Sequence, residues 1–106
     1  MREYSLEWLE PAFDDIAEIA QYYKASADMD VSRKMLKKII SEINDLVNLP
    51  YAHPYVRYET LREKGFRVLI IDNYLCFYKV VGKTVSIYRV IHSSRNYNEL
   101  FSKKPK

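Results

Sequence analysis

From Phe66 to Ile91 the chain is composed almost wholly of strand-forming residues. Phe66–Ile71, Tyr74–Val81 and Thr84–Ile91 are dense in Val, Ile, Leu, Phe and Tyr. Only Asp72-Asn73 and Gly82-Lys83 interrupt them, and dipeptides of this type close tight turns. Strands joined so closely must be antiparallel neighbours, so this stretch predicts a three-stranded meander. A chain of 106 residues has room for one core. Everything upstream must therefore find its place on that meander, and residues 1–106 read as one domain.

The upstream half supplies the covering layer. Arg2, Tyr4, Leu6 and Trp8 alternate with Glu3, Ser5 and Glu7, the period of a half-buried strand. Pro11 then suits the first turn of a helix running to about Ala25, with Asp14, Asp15 and Glu18 placed to complement its dipole. Phe13, Ile16, Ala17, Ala20 and Tyr23 recur at helical spacing along it. A second helix, capped by Asp28 or Asp30, carries the stripe Val31, Met35, Leu36, Ile39, Ile40, Ile43, Leu46 and Val47, and Pro50 ends it. The short Ser26–Met29 connection makes the pair an antiparallel hairpin. Tyr51–Lys64 shows no period, and His53, just before Pro54, reads as a surface loop residue. The class is α+β: an N-terminal strand, a helix hairpin and the meander, packed as a four-stranded sheet with helices on one face. Which edge the first strand takes is left open. The second face is expected to be partly open and to carry Arg67, Lys79 and Arg89.

Composition narrows the function classes. Hydrophobic residues make up 48% and charged residues 29%, a globular balance. The lone Cys76 excludes an intrachain disulfide, no Cys/His set has zinc spacing, and no cofactor is called for. Met1 leads straight into charged residues and no apolar run approaches a membrane span, so a cytoplasmic chain without a signal peptide is expected. Residues 1–65 hold nine Lys/Arg and twelve Asp/Glu, a net of −3, whereas residues 66–106 hold eight and two, a net of +6. A basic second half suits a polyanion or an acidic protein partner, although residues 101–106 read as a flexible basic tail. The run Arg33, Lys34, Lys37 and Lys38 reads as a solvated helix face.

The chemistry concentrates where the last strand ends. Within Tyr88–Phe101 lie Arg89, His92, Ser93, Ser94, Arg95 and Tyr97, with Leu100 and Phe101 as an apolar anchor. Guanidiniums, an imidazole and a phenol can hold a phosphate and move protons around it. Arg67 and Lys79 lie inside strands, where a charge costs stability unless its head reaches water or an anion. An Arg snorkelling over apolar surface is an equally good reading of each singly, but Arg67, Arg89 and Arg95 in the same half favour a shared anion site. Strict alternation points Arg89 and His92 to opposite faces. They can share a site only if the strand ends or bulges before His92, and Ser93-Ser94 offers an exit.

Several segments together resemble the RelE/ParE superfamily of bacterial toxins. They are the strand and helix hairpin, Gly65-Phe66-Arg67-Val68-Leu69, the Asn73-Tyr74 to Lys79 strand, and Arg89-Val90-Ile91-His92-Ser93-Ser94-Arg95-Asn96-Tyr97. The resemblance runs from about Tyr4 to Phe101. It implies the toxin of a type II toxin–antitoxin module with an antitoxin that wraps and neutralises it, and the basic second half and incompletely covered sheet predict that this antitoxin is acidic and partly disordered. It further implies one of two targets: mRNA cut on the ribosome, as by RelE-like members, or DNA gyrase, inhibited by ParE-like members. A metal-free nuclease is the favoured expectation here. Arg67 and Arg89 would then bind the scissile phosphate, His92 or Tyr97 would handle protons, and Arg95, Lys64 and Lys79 would support phosphate binding, with Glu63 or Lys64 as a weaker candidate base. The chain lacks the lysine-rich site of RelE and the adjacent His-Tyr pair of YoeB-like toxins, and its long hairpin leans toward ParE. A non-catalytic binding relic of the fold is the third reading.

Overall fold

The computed structural model describes residues 3–25 and 29–97. In chain order they form β1 (Ser5–Trp8), α1 (Glu10–Lys24), α2 (Met29–Asn44), a 3-10 turn (Asp45–Val47), α3 (Glu59–Glu63), β2 (Arg67–Ile71), β3 (Tyr74–Val81) and β4 (Thr84–His92). The Ser26–Asp28 connection, the Leu100–Phe101 anchor and the basic tail lie outside the described residues.

The meander forms as its turn residues require. Asp72 and Gly82 take positive φ, 51° and 60°, which is what tight two-residue turns demand. The strand order is β1-β4-β3-β2, so β1 lies on the edge beside β4, and it runs parallel to it, with Leu6 opposite Val85 and Trp8 opposite Ile87. The α1–α2 hairpin makes this possible, because it carries the chain across one face before β2 begins at the far edge.

The face under the hairpin holds the larger core. Ile39, Ile43 and Leu46 from the second helical segment meet Leu69, Ile71, Cys76, Tyr78, Val85, Ile87 and Val90. Two details of the expected packing shift. The inward row of α1 is Ala12, Asp15, Ile16, Ile19 and Tyr23, one step from the expected row, so Phe13 turns out and stacks on Trp8 at 5.6 Å. Val31 is also exposed, and α2 stops at Asn44, with the 3-10 turn carrying Leu46 and Val47 into the core.

The second face, expected to be partly open, is covered over its middle, while Ile70 and Val81 on it stay exposed. Val56, Leu61 and Phe66 from the supposedly irregular segment lie over Phe77 and Ile91, with Tyr88 and Tyr97 packed beside them. Leu61 belongs to α3, a helix too short to announce itself by period.

At the centre Tyr78 is fully buried and donates its hydroxyl to the Pro50 carbonyl at 2.9 Å. Burial pushes this phenol from its ordinary 10.0 up to about 12, and burial likewise raises Tyr74 and the Cys76 thiol. The folded state thus prefers the protonated forms. The stability that Tyr78 confers is complete below pH 10, where the unfolded phenol is still neutral. It is lost as pH rises from about 10 towards about 12. Urea midpoints should therefore fall over that window, and Tyr78→Phe should make the fall shallower. A midpoint that holds level to pH 12 would contradict this assignment.

Candidate functional site

The end of β4 is shaped by a bulge. Phe77 opposes Arg89 and Tyr78 opposes Ile87, so Tyr88 is an extra residue in the ladder. Before it Val85 and Ile87 face the helices; after it Val90 does, while Tyr88 and Ile91 face the second cluster. The break in alternation lies inside the strand, not at Ser93-Ser94. It turns both Arg89 and His92 towards α1.

Arg89 finds a carboxylate there. Its Nε and Nη2 donate to Asp15 at 2.7 and 2.9 Å, and the Val90 amide donates to the same carboxylate at 2.9 Å. Since β1 pairs β4 only as far as Ile87, Asp15 takes over as partner of the strand edge where β1 ends. Asp15 is 7% exposed, and its hydrogen bond is the main cause holding the Arg89 guanidinium above its usual range. Sequence reasoning assigned Asp15 to helix electrostatics. The available signal was its phase: three residues after Ala12 and four before Ile19, it sits in the inward row of α1.

Beside this lock lies a groove of about 630 Å³ whose walls include Asp15, Glu18, Tyr22, Tyr23, Tyr74, His92, Ser94 and Arg95. The Tyr74 hydroxyl donates to that of Tyr23 at 3.4 Å, and the His92 ring stands edge-on to Tyr74 at 5.4 Å. The Ser94 amide donates to His92 Nδ1 at 3.1 Å, so Nδ1 serves as an acceptor there. The Ser94 hydroxyl also lies 2.8 Å from Nδ1.

The remaining candidates stand elsewhere. Arg67 donates to the His53 carbonyl at 2.7 Å, with its guanidinium 4.0 Å from the Tyr55 ring centre and 5.1 Å from that of Tyr51. Lys79 covers the rings of Phe66 and Tyr88 on the second face. Tyr97 packs on Phe77 at 4.9 Å on that same face, away from the His92 groove. Lys64 and Glu63 are exposed at the end of α3. The structure therefore groups His92 and Arg95, sets Arg89 behind them on Asp15, and separates Arg67, Lys79 and Tyr97 from that group. The shared anion site expected for Arg67, Arg89 and Arg95 is not assembled, because the Asp15 carboxylate matches the charge of Arg89 and Arg67 stands apart between Tyr51 and Tyr55.

No helix of the described residues is long and apolar enough to cross a membrane. The mixed four-stranded sheet with its helix hairpin is the fold of a chain from P. aeruginosa, titled "Chromosomal ParDE TA system". The TM-score is 0.71 at 21% identity, over 85% of this chain and 96% of that one. No curated protein sequence matches. The structural likeness defines the fold, an α+β architecture of the RelE/ParE kind. The family model for the "ParE toxin of type II toxin-antitoxin system, parDE" matches residues 6–97. The chain belongs to that family, and as the toxin half of a type II module it has an antitoxin for a partner.

Proposed function

We propose that this toxin arrests growth by binding and inhibiting DNA gyrase, and not by cutting ribosome-bound mRNA. The observation that carries the reading is the Asp15–Arg89 pair. A nuclease of the expected kind needs cations whose charge is available to a phosphorane as it forms. Here the charge of Arg89 is already matched by a nearly buried carboxylate at 2.7 Å, and Arg67 is anchored on backbone carbonyls at a separate place. Tyr97, committed to the Phe77 ring, stands away from His92. Membership in the ParE family supports the same conclusion. Inhibition by binding requires shaped surface and no converging catalytic groups. Gyrase works in the bacterial cytoplasm, so the reading carries a cytoplasmic location.

The partner reading follows from charge. An acidic antitoxin that folds on binding suits the excess of positive charge after residue 65. Induction in growing cells tests the target. Filamentation and the DNA-damage response, with messages intact, are expected. Rapid cleavage within ribosome-bound codons would overturn the proposal and return the chemistry to His92 and Arg95.

A further inference from the structure

A strip of alternating rings and cations crosses the molecule away from the His92 groove. It runs from Lys83 to Tyr4, Tyr51, Arg67 and Tyr55. Lys83 Nζ lies 5.1 Å from the Tyr4 ring centre, and Tyr4 meets Tyr51 edge-on at 6.2 Å. The Arg67 guanidinium then lies against both Tyr51 and Tyr55, at 5.1 and 4.0 Å. Tyr4 packs in part against the core, but Tyr51 and Tyr55 do not, being 56% and 49% exposed. Arg57 and Tyr58, both exposed, continue the same pattern along the loop.

The strip is built on rigid supports. The loop is stitched to β2 and the residue before it by Val56 N to Phe66 O at 2.9 Å and by Val68 N to Pro54 O at 3.0 Å, with Tyr55 bridging Arg67. Val56, 2% exposed, is the buried peg between exposed Tyr55 and Arg57. Arg67 is held by the His53 carbonyl at 2.7 Å. Rings and guanidinium are thus pre-positioned, which lowers the ordering cost of binding.

We propose that this strip binds single-stranded nucleic acid. Exposed aromatic faces stack unpaired bases, and interleaved Lys and Arg attract the phosphates between them. A stack that served only stability would bury its rings, since half-exposed tyrosines return little of their apolar area. Among the strip's named side chains the cations Arg57, Arg67 and Lys83 outnumber the anion Glu3, a balance that draws a polyanion. Glu3 pairs with Lys83 at 3.0 Å with both side chains well exposed. A polyanion displaces such a surface pair at small cost. DNA and RNA share the chemistry, and the strip favours single strands because a duplex keeps its base faces stacked. The proposal does not depend on the gyrase assignment.

The test is fluorescence anisotropy of the full chain with labelled oligo-dT, oligo-rU and a duplex of equal length, from roughly 50 to 200 mM salt. Saturable binding of a single strand, tighter than of duplex, is expected. Tyr55→Ala and Tyr51→Ala should each weaken it by about 5- to 150-fold, whereas Tyr55→Phe, which keeps the ring, should not. Lys83→Gln should flatten the salt dependence. Circular dichroism confirms that each variant is folded, and the dT-to-rU ratio identifies the natural strand. No saturable binding at low salt, equal affinity for duplex, or a folded Tyr55→Ala protein that binds like wild type would overturn the proposal. So would loss of antitoxin capture by Tyr55→Ala with no strand bound by wild type, which would make the strip a protein contact.

Discussion

Asp15→Ala is expected to cost about 3–5 kcal/mol of folding stability, the usual result of stripping one partner from a largely buried ion pair. The change removes a carboxylate that is 7% exposed. It abandons both donors of Arg89 and the Val90 amide, each of which lies within 2.9 Å of it. A buried donor left without an acceptor costs about 1–3 kcal/mol by itself. Asp15→Asn should cost less, since one carbonyl oxygen survives to accept. Urea midpoints of both variants, with Arg89→Ala and the double variant, complete a cycle. A coupling well above about 0.5 kcal/mol is expected for residues in direct contact. Arg89→Ala should therefore weaken the fold as well. An Asp15→Ala protein with an unchanged midpoint would show that the lock contributes nothing.

Ile39→Ala is expected to cost about 2–5 kcal/mol, the range for truncating a buried aliphatic side chain. Ile39 is fully buried, and it belongs to the cluster where α2 meets Leu69, Ile71, Cys76 and Tyr78. The spread in that range reflects how far the neighbours can close over the lost methylenes. Val31 provides the control: it shares the stripe in sequence but is exposed, so Val31→Ala should stay within about 0.5 kcal/mol of wild type. Denaturant midpoints at constant slope distinguish the two. Equal effects at the two positions would mean that the helix presents another side to the sheet.

The parts of the fold that could be read from residues are those set by local period and turn chemistry. Asp72-Asn73 and Gly82-Lys83 close the meander because two-residue connections leave the chain no other choice. The stripe through Ile39 and Ile43 points one way because only one face of α2 is apolar. Other features are decided by distant partners. The parallel seat of β1 beside β4 depends on where the hairpin sets the chain down, and nothing between Tyr4 and Trp8 encodes that. Val56, Leu61 and Phe66 cover the second face from three different local structures, so no periodicity links them. At the site, the two residues His92 and Arg95 are together as their closeness in sequence suggested. The Tyr88 bulge and the Asp15–Arg89 pair were hidden, because a strand's irregularity and an ion pair spanning 74 positions have no local signature. Only the inward phase of Asp15 hinted at the second.

Purified gyrase and programmed ribosomes, each given the same folded toxin, test the central claim most directly. The account predicts that supercoiling of relaxed plasmid stops as toxin is added and resumes when antitoxin is supplied, while the codon in the ribosomal A site stays intact. Cleavage of that codon by wild type, lost in His92→Gln and accompanied by undisturbed supercoiling, would contradict it.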